Sequence, residues 1–422
     1  MTGKLNILLV NDYGRPSGGA ELQMIAIRDG LRARGHKVRL FTSDAELVPG
    51  YPLVADVACR GRTGRGQVLS QVVNLSASRA LRQELRANPP DVVHVRMFLW
   101  QLSPLILRAL ARVPVLFQAA VYKAVCPNGM KLLPDGTPCT YKAGRPCLSS
   151  GCVAPLTWAA TMAQLALVRH LRGNIDIASA LSRRMADIFI DDGWPDVRVL
   201  PNGVDPQPMR PPLGLMPVVA YAGRLSREKG VATLIEAFLR LSLQNPTAQM
   251  LIAGSGPEEP ALRTLAAPLG DRVRFLGHLT RDAMERAFSD AWVQVVPSLW
   301  HEPFGNVTTE AMMRGTAVIA SDVGGQSDIL RHDETGFLVP PGDAVRLAGA
   351  LEQIITDRDL AERLGRAGRD VALRLYSREA SIDRLIDVYG ETIAHAGTNR
   401  AKTWSGKTPA DHSAPPSHGG PQ

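Results

Sequence analysis

Residues 218–230 read Val-Val-Ala-Tyr-Ala-Gly-Arg-Leu-Ser-Arg-Glu-Lys-Gly, and an amphipathic run from Val231 to Gln244 follows. Five apolar residues bounded by a glycine read as a strand buried on both faces, and the 3.6-residue spacing after them reads as a helix. The couplet recurs on both sides. Downstream, Ala248–Ala253, Arg272–Leu276, Trp292–Pro297 and Ala317–Ser321 read as strands, with helices over Glu258–Ala267, Asp282–Ser289 and Asn306–Arg314. Upstream, Leu5–Val10, Lys37–Thr42, Asp91–Met97, Val113–Ala119, Asn174–Ser179 and Val197–Leu200 read as strands. Between these lie helices over Ala20–Arg34, Val68–Ala87, Gln101–Arg112, Leu156–Leu171 and Ser182–Asp192. Such alternation implies an α/β fold of parallel sheets covered by helices on both faces. The pattern starts twice, and the proline-rich stretch 206–217 separates the two starts as an interdomain hinge, because proline lacks the ladder donor and favours extended chain. Two Rossmann-like, doubly wound domains are therefore expected, residues 1–205 and 218–378, facing each other across a cleft at the carboxyl ends of their strands. The pattern is helical from 343 to 396, and residues 397–422, poor in apolar periodicity, are expected to be disordered.

Composition narrows the class. Of 422 residues, 45% are hydrophobic and 21% charged, so large cores can form and a disordered or fibrous chain is excluded for most of the length. No run approaches the roughly 18 apolar residues of a membrane span. Met1 to Lys4 lead straight into the strand-like Leu5–Val10, too short for a leader peptide, which sets a cytoplasmic expectation. The total charge is +8, but residues 1–201 carry 25 Lys and Arg against 14 Asp and Glu, a net of +11, so the remainder is −3. This asymmetry reads either as a generally Arg-rich composition or as a first domain facing something anionic, such as a phosphorylated acceptor or the inner membrane surface. Nucleic acid is not expected, since the basic residues are spread rather than striped with aromatics. Cys126, Cys139, Cys147 and Cys152 crowd into a Pro/Gly-rich segment. They are candidate ligands of a structural zinc, although no interval among them is the short C-x2-C spacing.

Three loops carry candidate chemistry. The first strand leads to Gly18-Gly19-Ala20-Glu21 before a helix, where adjacent glycines let a ligand approach the backbone and the positive helix end. A plain tight turn would read the same way. No G-x-G-x-x-G follows the first strand of either half, which removes the main support for a nicotinamide dehydrogenase. In the second half, Arg224 and Lys229 place two cations between a strand end and a helix start, suited to a pyrophosphate. The third loop, Ser298-Leu299-Trp300-His301-Glu302-Pro303-Phe304-Gly305-Asn306-Val307-Thr308-Thr309-Glu310, turns at 303–305 and begins a helix at Asn306 that Gly315 ends. The unpaired amides of Gly305, Asn306 and Val307 suit a phosphate, and Glu310, one turn inside, suits the vicinal hydroxyls of a ribose.

Together these segments resemble the GT-B glycosyltransferases, in particular the large retaining family 4 of bacterial sugar transferases (glycosyl transferases group 1). The resemblance covers roughly residues 5–395 through GGAE, DVVHV, LPNGVD, GRLSREKG, GSGP, the E-x7-E of EPFGNVTTE, DVGGQSDIL and ETGFLVPPGD. It implies a hexosyltransferase-type enzyme using a nucleoside diphosphate sugar, with no required cofactor. Arg224 and Lys229 would bind the diphosphate, Glu302 would contact the transferred sugar, and Gly305 to Val307 would supply backbone donors. Glu310 would hold the ribose. Gly18, Gly19, Gly254, Pro303 and Phe304 would complete the donor site. The acceptor would be a glycan or lipid-linked saccharide, as in cell-surface polysaccharide synthesis, and the helix over 379–396 would cross back to the first domain.

One departure from the family pattern falls at Ala120-Val121, where a His-Asp pair normally precedes Tyr122. The loss implies an altered acceptor geometry or weak activity. His94 matches a different position and reads as a structural histidine. Lys142 stands where a C-x2-C partner of Cys139 would fall, which weakens the zinc reading. Leu156–Leu171 reads as a packing helix, with contact at a membrane surface as the alternative. Two other functions are weighed: a nucleotide-sugar epimerase on the same fold, against which the scarcity of histidine in the first domain argues, and a non-catalytic sugar-nucleotide binder, motivated by Ala120.

Overall fold

The computed structural model describes residues 3–405. Strands β1 (Asn6–Tyr13), β2 (Lys37–Ser43), β3 (Val57–Cys59), β4 (Val92–Val95), β5 (Val115–Ala119), β6 (Ile177–Ala180) and β7 (Val197–Val199) form one sheet in the order β3-β2-β1-β4-β5-β6-β7. Strands β8 (Val218–Ala222), β9 (Gln249–Ala253), β10 (Val273–Gly277), β11 (Val293–Val296), β12 (Ala317–Ser321) and β13 (Phe337–Val339) form the other, in the order β10-β9-β8-β11-β12-β13. Every pairing between these strands is parallel. In both sheets the chain runs outward from the first strand and returns to its other side, so a topological switch lies between β1 and β4 and again between β8 and β11. Ligand crevices form at such points. The α/β, GT-B architecture read from the sequence is the one observed.

Local chemistry explains where the elements depart from the expected spans. The helix expected over 68–87 is two, Arg65–Ser70 and Leu75–Ala87, because the Asn74 side chain accepts from the Ala77 amide at 3.0 Å and caps a new start. The helix expected over 101–112 is only Leu105–Ala109. The amides of Trp100, Gln101 and Leu102 are instead held by the buried Asp12 carboxylate at 2.7–3.0 Å. β3 and β13 were not expected from the sequence.

The interior of the second domain is built on Val219, Leu234, Phe238, Ile252, Ile319 and Leu351. On one face of the first sheet, Ile7, Leu9, Leu40 and Leu116 pack with Met24, Ile27 and Leu31 of the helix Gly19–Ala33. That core is completed from the far end of the chain by Ile382, Leu385 and Tyr389 of the helix Arg378–Ser405. A third cluster joins Val10, Phe117 and Tyr122 to Phe304, Met312 and Tyr376. The last helix runs to Ser405 rather than ending at Ala396, so the tail expected to be disordered from 397 starts as helix. Its remainder, 406–422, lies outside the described residues.

The chain passes between the domains twice, side by side. The Val204 amide donates to the Tyr376 carbonyl and the Arg378 amide to the Val204 carbonyl, each at 2.8 Å. Arg378 also reaches Asp205 at 3.1 Å and Gln23 at 2.9 Å. The stretch 206–217, expected as the hinge, is fastened to the second domain: the Arg210 amide donates to the Arg314 carbonyl at 2.9 Å and its guanidinium pairs with Glu362 at 3.2 Å. Among the described residues no helix is long and apolar enough to cross a membrane. The helix Pro155–Leu171 buries Thr161, Gln164, Leu165 and Val168, and Gln164 donates to the Leu99 carbonyl at 2.7 Å, as a packing helix does.

Candidate active site

The site is assembled from loops that leave the carboxyl ends of both sheets. After β8 the chain makes a tight turn, Arg227–Lys229, closed by Gly230 in the left-handed region at φ +65°. A Cβ there would lie 2.0 Å from the Pro297 carbonyl oxygen, so only glycine lets this turn lie against the loop that follows β11. The contact brings Lys229 Nζ to 2.7 Å from Glu302 Oε1, and Ser298 Oγ donates to the same oxygen at 2.5 Å. Nζ also stands 5.4 Å from the Trp300 ring centroid. Burial alone would raise the Glu302 carboxyl. The charge and hydrogen bond of Lys229, with the bond from Ser298, outweigh it and hold the group below the usual carboxylate range.

The turn at 322–325 braces this loop. Gly324 has φ +62°, a Cβ there would sit 2.5 Å from the Glu302 amide nitrogen, and the Gly325 amide donates to the Glu302 carbonyl at 2.8 Å. Gly305, at φ +140°, precedes the helix Asn306–Arg314, and no side chain caps it. Its first amides are thus left to a ligand, and the positive helix end favours an anion. Across the cleft, a Cβ on Gly19 would come within 3.9 Å of Asn306 Nδ2, so the glycine loop faces the helix start. Asn202 Nδ2 donates to Asn306 Oδ1 at 3.0 Å, while its own Oδ1 accepts from the buried Arg96 at 2.7 Å.

Arg224, Gly254 and Val307 line one cavity of about 410 Å³, together with His278, Leu279 and Met284. Glu310 is not among the residues that line it. Burial raises its carboxyl, against the opposing charges of Arg281 and Arg314. Phe304 is a core residue, its ring edge-on to Tyr376 at 5.6 Å, so it offers the donor only backbone. Gly18 is covered by its own loop, since a Cβ there would meet Glu21 Oε2 at 2.6 Å. Pro303 is half-buried in the turn.

Ala120 is buried in a small apolar cluster with Tyr13, Ala45 and Met97. No imidazole replaces the absent one from β4: His94 Nδ1 lies 2.9 Å from the Tyr389 hydroxyl, and burial lowers its pKa to about 3, leaving it neutral. The zinc candidates are Cys126, Cys139, Cys147 and Cys152. All four are free thiols, Cys126 Sγ donates to Asn128 at 2.9 Å, and no group of three or more His, Cys, Asp or Glu among the described residues is arranged to hold a metal ion. Sequence reasoning passed over Ser298, Asn202, Arg96 and His278. Ser298 and Asn202 lie inside segments already singled out, whereas nothing local marks Arg96 or His278.

The chain is similar to known proteins over both halves. The profile of Glycosyl transferases group 1 matches residues 214–371, and that of Glycosyltransferase Family 4 matches residues 17–208. A phosphatidyl-myo-inositol mannosyltransferase of Mycobacterium leprae is 36% identical over 210 residues, 48% of this chain and 55% of that protein. The chain spans about half the length of the curated relatives it matches. A sucrose-phosphate synthase from Thermosynechococcus elongatus superposes with a TM-score of 0.69 at 24% identity, covering 93% of this chain and all of that one. The Anabaena protein HepE, solved with UDP and glucose, gives a TM-score of 0.61 at 20% identity over 92% of this chain and 99% of its own. With both halves matched in order and the double sheet shared, the chain belongs to the GT-B glycosyltransferases of the family 4 type.

Proposed function

We propose that the protein is a retaining, hexosyltransferase-type enzyme that moves a sugar from a nucleoside diphosphate sugar to a hydroxyl of a glycan or lipid-linked saccharide. The observation that carries this reading is the convergence of the Lys229–Glu302 pair with an uncapped helix start at Gly305 and the Arg224 cavity. The nucleoside fits the cavity beside His278 and Gly254, with Glu310 toward the ribose. The diphosphate then lies between Arg224, Lys229 and the amides of 305–307. As the bond from sugar to phosphate breaks, the charge growing on the diphosphate meets cations and dipoles already in place, and this supplies the stabilisation without calling on a bound metal. Glu302, ionised and held by Lys229 and Ser298, faces the sugar carbon as it becomes electron-poor. Closure about the paired crossings at Val204 and Ser377 excludes water from the activated sugar.

Transfer is tested with a panel of nucleoside diphosphate sugars, with and without saccharide acceptors. Glu302→Ala and Lys229→Ala are each expected to lower turnover by about 100-fold or more while the protein stays folded. Unchanged turnover in both variants would overturn the assignment. A sugar altered in the absence of acceptor would mark an epimerase, a reading the family match does not favour. Donor binding without transfer to any acceptor would mark a non-catalytic binder. The +11 charge of residues 1–201 further supports peripheral attachment to the inner, anionic membrane surface. Co-sedimentation with liposomes is expected to need anionic lipid and to weaken with salt.

A further inference from the structure

A second cavity, about 280 Å³, opens between the segment 125–142, the helix Arg183–Asp191 and His301, the residue before Glu302. It is a built site. Two basic side chains form its interior, Lys131 and His301, which are 7% and 8% exposed. Lys131 is positioned by a hydrogen bond to the Tyr141 carbonyl at 2.8 Å. His301 Nδ1 is buried with no hydrogen-bond partner among the described residues, which leaves it open to an ordered water or a ligand in the cavity. Burial first, then the charges of Arg184 and Lys131, bring its imidazole down to about 4, so it is neutral at pH 7 and its N–H tautomer can donate. Two more cations, Lys142 and Arg184, stand exposed at the rim, and among the described residues neither side chain has a hydrogen-bond or ion-pair partner.

Carboxylates also line the cavity, but unevenly. Asp192 pairs with Arg169 through Oδ1 at 3.0 Å, while its buried Oδ2 has no partner among the described residues and is open to a ligand hydroxyl; Asp187 and Asp191 stand at the exposed rim. The charges that act on His301 are those of Arg184 and Lys131, both positive, so the cavity is positive where His301 lines it. A neutral glycan gives no use to these cations. A saccharide with one anionic substituent uses all of them, with its ring hydroxyls donating to Asp187 and Asp191.

We propose that this cavity is the acceptor subsite, and that it selects a saccharide bearing a phosphate or carboxylate, held by Lys131, Lys142, Arg184 and His301. The inference rests on the transferase reading above, because it takes the neighbouring Glu302 as the point of transfer. His301 and Glu302 are consecutive, so an anion on His301 fixes the acceptor against the donor sugar.

Calorimetry on the full chain tests it, with UDP titrated first and then, at saturating UDP, glucose 6-phosphate, glucuronate and glucose. At least one anionic sugar is expected to bind about tenfold or more tighter than glucose, which corresponds to one charge-assisted hydrogen bond. The preference of glucose 6-phosphate over glucuronate, or the reverse, assigns phosphate or carboxylate. In the double variant Lys142→Ala/Arg184→Ala the preference is expected to disappear while UDP affinity is retained, which also shows that the variant is folded. Equal affinity for all three sugars, no binding of either anionic sugar, or a preference that survives the double variant would overturn the proposal. If UDP and the other nucleoside diphosphates all fail to bind the unaltered chain while the anionic preference holds, the donor reading fails and the cavity stands as an anionic-sugar site only.

Discussion

Glu302 is held ionised by one lysine, and that dependence is measurable. Removing Lys229 leaves a poorly solvated carboxylate without its counter-charge. Lys229→Met is expected to cost about 3 kcal/mol in denaturant unfolding at pH 7, the lower end for a buried pair because both side chains keep some exposure. Adding Glu302→Gln to that variant is expected to recover much of the loss. The sign with pH follows from the lowered folded value of Glu302: its contribution is present above the ordinary carboxylate range and is lost as pH falls through the folded pKa. The segment 298–310 could be read from sequence because its turn and helix start are local events. The partner of Glu302 could not, since Lys229 lies 73 residues away and meets it only because Gly230 lets two loops touch. The acceptor-side chemistry was equally hidden: His301 was quoted within its loop, yet nothing in its neighbours says that Lys131 and Arg184 share its cavity.

Among the elements, the pairing of β4 with the last helix gives the clearest stability prediction. His94 is fully buried against Tyr389, and its folded pKa of about 3 lies below the unfolded value. The unfolded chain therefore binds the extra proton, and stability present above pH 6.5 is lost progressively toward pH 3. Between pH 6 and 4, His94→Gln is expected to remove roughly 1.4 kcal/mol of destabilisation per pH unit relative to the parent chain, read as the difference in slope of unfolding free energy. His301 keeps its own dependence in both proteins. A separate variant, Tyr389→Phe, is expected to cost about 1 kcal/mol for the lost hydrogen bond, measured by thermal or denaturant unfolding. Segments such as Asn306–Arg314 and Val218–Ala222 are legible because each is an uninterrupted run closed by a glycine, Gly315 and Gly223. The three-residue strands β3 and β13 carry too little alternation to register, and the break at Asn74 turns on a single side-chain cap inside a run that reads as continuous helix.

For the whole molecule, the last helix makes the first domain depend on the far end of the sequence. Deleting residues 378–422 strips Ile382, Leu385 and Tyr389 from the core around Ile7 and Leu9. At roughly 1.5–3 kcal/mol for each large apolar side chain, that is comparable to the entire stability of a domain. The truncated chain is expected to show two calorimetric transitions, that of the second domain little changed and that of the first moved far down or absent. A single transition at the parent temperature would show that the first domain stands without the helix. The doubled strand order was legible from the restart of the pattern at Val218. The fastening of the 206–217 stretch onto the second domain was not, because proline content reports the chain's local stiffness and says nothing about Arg210 finding Glu362. The returning helix also fixes an order of events at the ribosome. Synthesis delivers the first sheet early and its missing apolar cover last, so the amino-terminal half waits, incompletely clad, until residues 218–376 have been made, and the half begun second is finished first.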